Sequence, residues 1–450
     1  MRLRIEAVER MVVNVPFRDR CKPWNEVLIG QFGVIEICKV TTNAADIVGY
    51  GETLLHYTWE RVSDESVARV LGGNPAEFLS DDSLGAGLQM ALFDAVGKAL
   101  EVPMHRLLNL PVVREWCPIA WWNTKVPPEV VAAEAADALA EGYMSHKFKA
   151  RPWFDVFEQV EMISEVTPAN FELTPDWNWM LVDVNEATRV LTELDGYERI
   201  SVYESPIMQG DVAGYRTLRA RVGHALADHI DRRLFPILVR DDAMDTFVVQ
   251  GGGVSDLLRD GQLCAGASKD FWLQIVGTGI TTAFALHLGA VLTHARRPAV
   301  TAMNMYADDL LVDPIEIRGG FGRVPDGPGL GVTVDEDALE NLRMQPGKPA
   351  IWPRTSGVGL ARRYDPILEG GRESPYQIAY PRKLLSFELA DGRVRRYAGI
   401  HQLWLDCTHN TTMPRQERGA RLSVRDDDGG TEFDELYRRA AVSPIWESVR

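Results

Sequence analysis

Three acidic residues stand where buried strands would end: Asp176 in FELTPDWNW, Glu204 in SVYESPI and Asp228 in HALADHI. One strand earlier, HKFKARP carries Lys147 and Lys149, two residues apart. The acids are separated by roughly one strand-loop-helix unit, the repeat of a (β/α)8 barrel, in which strand ends converge on one face. Three carboxylates converging there suit a hard dication such as Mg²⁺. A lysine held against that metal suits proton abstraction. Lysines two apart on a strand share a face. Barrel strands are covered outside by helices, so this pair is expected to face the site. Any one of the acids alone reads as readily as a helix N-cap; their joint placement argues for a metal centre.

The elements that must position these residues follow in order. Residues 1–112 read as an α+β unit, with alternating strands in IEAVERMVVNV and VLIGQFGVIEICKVTT and a helix in LGAGLQMALFDAVGKALEV. DRCKPWNEVLIGQF reads as a mobile loop between the first strands. From 113 to 328 the pattern becomes regular. Short β-rich runs (PIAWWN, HKFKA, FELTP, SVYES, HALADH, TFVVQ, FWLQIV, VTAMNM) alternate with helical stretches, which indicates a barrel of the (β/α)7β kind. The turn-rich segment at 329–354 is expected to leave the barrel and return to the first domain. Residues 355–450 form a β-rich extension of unknown role. In it KLLSFELADGRVRRYAGIHQLWLDC reads as strands joined by an Asp-Gly turn, and RQERGARLSVRDDDGGTEFDE as exposed and partly disordered.

Composition bounds the function. A formal net charge of -16 argues against a nucleic-acid partner, which calls for a basic face. The cysteines (Cys21, Cys38, Cys117, Cys264, Cys407) are scattered, odd in number and without a CxxC, as in a reduced, cytoplasmic protein. The N-terminus lacks a signal peptide's apolar core. GITTAFALHLGAVLTHA, the most apolar stretch, is too short for a membrane span.

Taken together, these motifs resemble the enolase superfamily, in its mandelate racemase and muconate-lactonizing branch. The resemblance spans roughly residues 1–345. It rests on the N-terminal domain, Lys147-x-Lys149, Asp176-x-Asn178, Glu204-Ser-Pro, Asp228 and the exit VPDGPGLGVTVD. It implies a capped (β/α)7β barrel that binds one Mg²⁺ and abstracts the proton α to a substrate carboxylate. By resemblance Asp176, Glu204 and Asp228 are the metal ligands, and Asn178 is a contact of the ligands or the substrate. Lys149 is the base. Lys147 steadies the carboxylate and lowers its neighbour's pKa, as a second ammonium and a metal must. Assembly into homo-oligomers is also implied.

The chain departs from the family opposite Lys149. Relatives place a second acid/base at the sixth or seventh strand. Here Gln250 or Phe247 stands at the sixth and Gln274 at the seventh, with Asn304 at the eighth where a Glu is common. Racemisation needs a base on each face, whereas a syn β-elimination or a cycloisomerisation needs one. Dehydration of a sugar acid is the leading expectation, with Gln250, Gln274 and Asn304 binding substrate hydroxyls. A racemase, epimerase or cycloisomerase is the alternative within the superfamily, and a catalytically silent binding protein is the alternative outside enzymes. Arg18, Arg20 and Trp24, with Lys22, crowd the first domain's loop and could clamp a distal carboxylate. His229, beside Asp228, is expected to point the other way and to be structural.

Overall fold

The computed structural model describes residues 2–55, 62–251, 253–345, 350–351, 378–379, 382–410, 413 and 415–448. Three antiparallel strands open the chain, β1 (Ile5–Asn14), β2 (Val34–Thr42) and β3 (Val48–Leu54), with β2 in the middle. The segment expected as a mobile loop is instead ordered. It forms α1 (Lys22–Leu28), with Pro23 in the first turn, and a 3-10 turn at Gly30–Gly33. Burial of Val27, Leu28, Ile29 and Phe32 stabilises it, and a loop reading gave those apolar residues too little weight.

Two further helices, α2 (Asp64–Val70) and α3 (Ala86–Ala99), complete this unit. Strand β3 lies against α3 with no side chain between them at two points. A Cβ at Gly49 would stand 2.0 Å from the Ala91 carbonyl oxygen, and one at Gly51 would stand 2.1 Å from that of Gly87. Backbone cannot yield as a flexible side chain does. Gly51→Ala is therefore expected to push strand and helix apart at a cost of about 3 kcal/mol, read as a lowered denaturant midpoint.

After β4 (Trp116–Pro118) the alternation expected of a barrel begins. Seven strands form one parallel sheet in chain order: β5 (Trp121–Asn123), β6 (Ser145–Lys149), β7 (Glu172–Asp176), β8 (Val202–Glu204), β9 (Ala225–His229), β10 (Thr246–Val249) and β11 (Asp270–Leu273). The ring closes through residues 299–300. Ala299 makes a parallel bridge to Ile119 at one edge, and Val300 makes one to Gln274 at the other. The helices between and after these strands are α4 (Pro128–Ala140), α5 (Val156–Val166), α6 (Val184–Leu194), α7 (Val212–Arg219), α8 (Phe235–Arg240), α9 (Val254–Gly266) and α10 (Gly279–Val291). Asp155, Asp183 and Asp211 cap α5, α6 and α7 by accepting from backbone N–H groups of the first turn. Past the barrel the chain returns to the first unit, where the Met344 N–H donates to the Val12 carbonyl.

The extension is α+β rather than β-rich alone. Strands Arg421–Asp426, Lys383–Glu388, Arg393–Tyr397 and Ile445–Ser448 lie side by side in that order, all antiparallel. The Asp-Gly turn is present, but GIHQLWLDC, expected as strand, is the helix Ile400–His409. The stretch expected to be partly disordered supplies strand Arg421–Asp426 and the start of helix Thr431–Val442. It is anchored by Leu422 and Phe433, both buried. Residues expected between 355 and 377 lie outside the described ones.

This unit is packed onto the barrel. Leu385, Phe387, Tyr397, Leu403 and Trp404 share one apolar cluster with Trp153, Phe154 and Met180, from the loops after β6 and β7, and with Val27 and Leu28 of α1. The five cysteines are buried and form no disulfide. Among the described residues no helix is long and apolar enough to cross a membrane.

Candidate functional site

Strand register decides which side chains meet. Lys149 pairs with Asp176, Asp176 with Glu204, and Glu204 with Ala227, so these four lie on one face of the sheet. That face is the barrel interior. Lys147 Nζ, from β6, reaches across it to Gln274 Oε1 and lies 5.6 Å from the ring centre of Trp272 on β11.

Lys147 is buried at the centre. Its ammonium stands 2.8 Å and 2.6 Å from the two oxygens of Glu204 and 3.5 Å from Asp176 Oδ2. Lys149 lies nearer the mouth, partly exposed, and its ammonium is bonded to Asp176. Burial, then the neighbouring charges of Lys147 and Arg151, lower the Lys149 pKa to about 8 against the opposing pull of Asp176 and Glu204. Burial alone would raise the Asp176 pKa, but Lys149, Lys147 and Arg151 overcome it and hold the group a carboxylate.

Two more basic side chains stand here that the sequence reading passed over. Arg151 is fully buried just past β6, and burial lowers its pKa to about 10. Its guanidinium donates to the Asp176 carbonyl at 2.6 Å, to the Ala150 carbonyl at 2.9 Å and to Asn178 Oδ1. Trp404 of the extension lies 5.6 Å from that guanidinium. Lys125, after β5, has its pKa driven well down by burial and by Arg151 and Lys149. For Arg151 the signal was spacing, since it continues the i, i+2, i+4 series of Lys147 and Lys149. Asn178, in left-handed backbone at φ 44°, is held by Arg151 and by its own N–H to Asp176 Oδ1.

Asp228 is a correction. Glu204 pairs with Ala227, so the next residue points away from the interior. Asp228 is fully buried between β9 and α7. It accepts from Tyr215 Oη at 2.7 Å, Ser205 Oγ at 3.0 Å, Trp179 Nε1 at 3.2 Å and its neighbour's N–H, that of His229, at 2.7 Å. His229, expected to be structural, takes the inner position, with Nε2 3.5 Å from Glu204 Oε1. Asp228→Leu should cost about 3 kcal/mol by orphaning those donors, whereas Asp228→Asn, which keeps an acceptor, should cost about 1 kcal/mol. Urea denaturation distinguishes them.

Whether these residues suit the Mg²⁺ that the resemblance implies is decided by the same contacts. Two inner carboxylates are present, but an ammonium lies between them and the third carboxylate is turned to α7. Among the described residues no three of His, Cys, Asp and Glu come together as a metal cage. As placed, the donors do not fit.

The expected substrate contacts divide. Gln274 accepts from Lys147, and its Nε2 lies 3.4 Å from Gln250 Oε1, so Gln274 borders Lys147 and Gln250 stands next to Gln274. Asn304 is structural: its amide accepts from Trp122 N at 3.1 Å and donates to Trp122 O at 2.9 Å, which ties the barrel's closure together. Arg18 pairs with Glu141, and Arg20 with Glu134 and Asp137, all on or just past α4. These pairs hold the first domain against the barrel's outer helix, not over the lysines. Trp24 packs edge-on against Phe154 at 5.5 Å, beneath the extension.

Known proteins share this frame. Residues 130–338 match the family described as enolase C-terminal domain-like. These matches support the enolase superfamily, in its mandelate racemase and muconate-lactonizing branch, as the family that this chain is similar to. It is 25% identical to arabinonate dehydratase of Saccharolobus solfataricus over 308 residues, 65% of this chain and 79% of that protein. It is 25% identical to chloromuconate cycloisomerase of Pseudomonas putida over 376 residues, 76% of this chain and 99% of that one. The crystal structure of N-succinyl Arg/Lys racemase from Bacillus cereus matches with a TM-score of 0.62 at 20% identity, covering 76% of this chain and 98% of that one. Such a likeness shows the fold. The relatives include dehydratases, cycloisomerases and racemases, so no one reaction is common to them.

Proposed function

We propose that this protein removes the proton α to a carboxylate, with Lys149 as the base, and that the reaction is dehydration of a sugar acid. The observation that carries this is Lys149 itself. Its amine lies at the mouth end of the inner face, with a pKa of about 8 that leaves a usable neutral fraction near pH 7. The neutral amine takes the α-proton, and the C–H electron pair passes into an enediolate. The ammonium so formed is met by Asp176. The enediolate then expels the β-hydroxyl, which takes the proton back from Lys149 and leaves as water. The enol product tautomerises to a 2-oxo-3-deoxy acid. One base on one face serves both proton transfers, which suits a site with Gln250 and Gln274 on the far side. The Mg²⁺ of the resemblance has no step in this account.

A second reading, a carboxylate-binding protein without turnover, is favoured by one observation: Gln274 is already engaged by Lys147. Exchange of the α-proton into D₂O across mono- and diacid sugars, with Mg²⁺ and with EDTA, separates the two. Exchange or loss of water from one acid class supports the dehydratase. Binding of an acid with no exchange overturns it in favour of the second reading.

A further inference from the structure

We infer that the Lys147 ammonium is the resident cation of the Asp176–Glu204 pair, and that this chain therefore takes no divalent metal there. The inference rests on the pairing of these side chains and not on the substrate reading above.

Lys147 donates to Glu204 Oε1 and to Gln274 Oε1, and its ammonium also stands 2.6 Å from Glu204 Oε2 and 3.5 Å from Asp176 Oδ2, so oxygens face it on three sides. It is 1% exposed, and both carboxylates are fully buried. Two carboxylates, Asp176 and Glu204, already face two ammoniums, Lys147 and Lys149, with the Arg151 guanidinium beside them, so the set holds no surplus negative charge. A dication added to that set would put two uncompensated charges in a buried site, which costs several kcal/mol per ion. The carboxylate that could offset it, Asp228, is on the other face of β9 with four donors on it. Turning it inward would mean breaking all four contacts and moving His229, which holds the inner place. A tethered ammonium also comes without the loss of freedom that a metal's capture entails.

The test uses metal alone, so it is independent of any substrate. Mg²⁺ and, separately, Mn²⁺ are titrated calorimetrically into the full chain, with Glu204→Gln as the blank for this site. The wild type should show no saturable heat beyond that blank. Lys147→Met leaves two carboxylates around a space the size of an ammonium. It should gain metal affinity by at least tenfold, and its thermal midpoint should rise with added Mg²⁺ while the wild type's does not. Should Lys147→Met fail to fold, Lys147→Gln takes its place, since its amide can still donate to Glu204. Micromolar, Glu204-dependent binding by the wild type overturns the inference. So does a folded Lys147 variant that gains no affinity, because Lys147 would then not be what holds the metal's place.

Discussion

Lys149→Met is expected to lower the rate of α-proton exchange by about a thousandfold while leaving the fold intact, the loss typical of removing a general base. The variant should still fold because Asp176 keeps Lys147 and the Arg151 network. Lys149→Arg should not rescue exchange, since a guanidinium stays charged. The wild type should carry a matching pH signature. In the proposed role Lys149 acts as the neutral amine, and burial with Lys147 and Arg151 lowers its pKa to about 8. Below that value the amine is protonated, so kcat/KM should fall tenfold per pH unit; above it, the rate should level off. Exchange followed by NMR in buffered D₂O across this window is the measurement. A profile flat from about pH 6 to about 9 would remove Lys149 from the role of base.

Trp404→Ala is expected to destabilise the whole molecule, not the extension alone, by about 3–5 kcal/mol, as for a large aromatic lost from a core. The indole is 7% exposed and sits where three parts of the chain meet. Below it is the Arg151 guanidinium, and around it are Trp153, Phe154 and Met180 of the barrel loops. Its loss removes the apolar contacts and the cation–π attraction together, the latter worth up to about 2 kcal/mol when desolvated. Trp404→Phe, which keeps a ring face, should recover most of the loss. Calorimetry reads the result: one transition shifted down means a shared core. A barrel transition left at its wild-type position would mean the extension is an independent appendage.

Most of the fold was legible because its signals are periodic. Seven barrel strands fall in short β-rich runs, whereas the eighth run, VTAMNM, is no strand: Val300 makes a single bridge and Met303–Met305 is a 3-10 turn. The lysine pair was legible for the same reason, since residues two apart on a strand share a face wherever it begins. Asp228 was not. Which face an isolated strand residue takes depends on register, and the one-residue difference between Ala227 and Asp228 is fixed by pairing with Glu204, which no local pattern states. Arg18 and Arg20 illustrate a different limit: their partners on and just past α4 lie more than a hundred positions away in sequence. The extension was misread where charge masked single buried anchors such as Leu422 and Phe433.

The way the extension sits on the barrel also bears on how the protein is made. Chains emerge from the ribosome N-terminus first, and domains fold as they emerge. Every strand of the ring is available before Lys383 is synthesised, so the ring can close with Trp153, Phe154 and Met180 still facing water. Those side chains form a sticky nascent surface until the last stretch of chain arrives to cover it. A ribosome stalled between the two leaves a closed but adhesive barrel. Expression yield should thus depend on how quickly translation proceeds past residue 345, and a truncated gene product should aggregate even though its ring is complete.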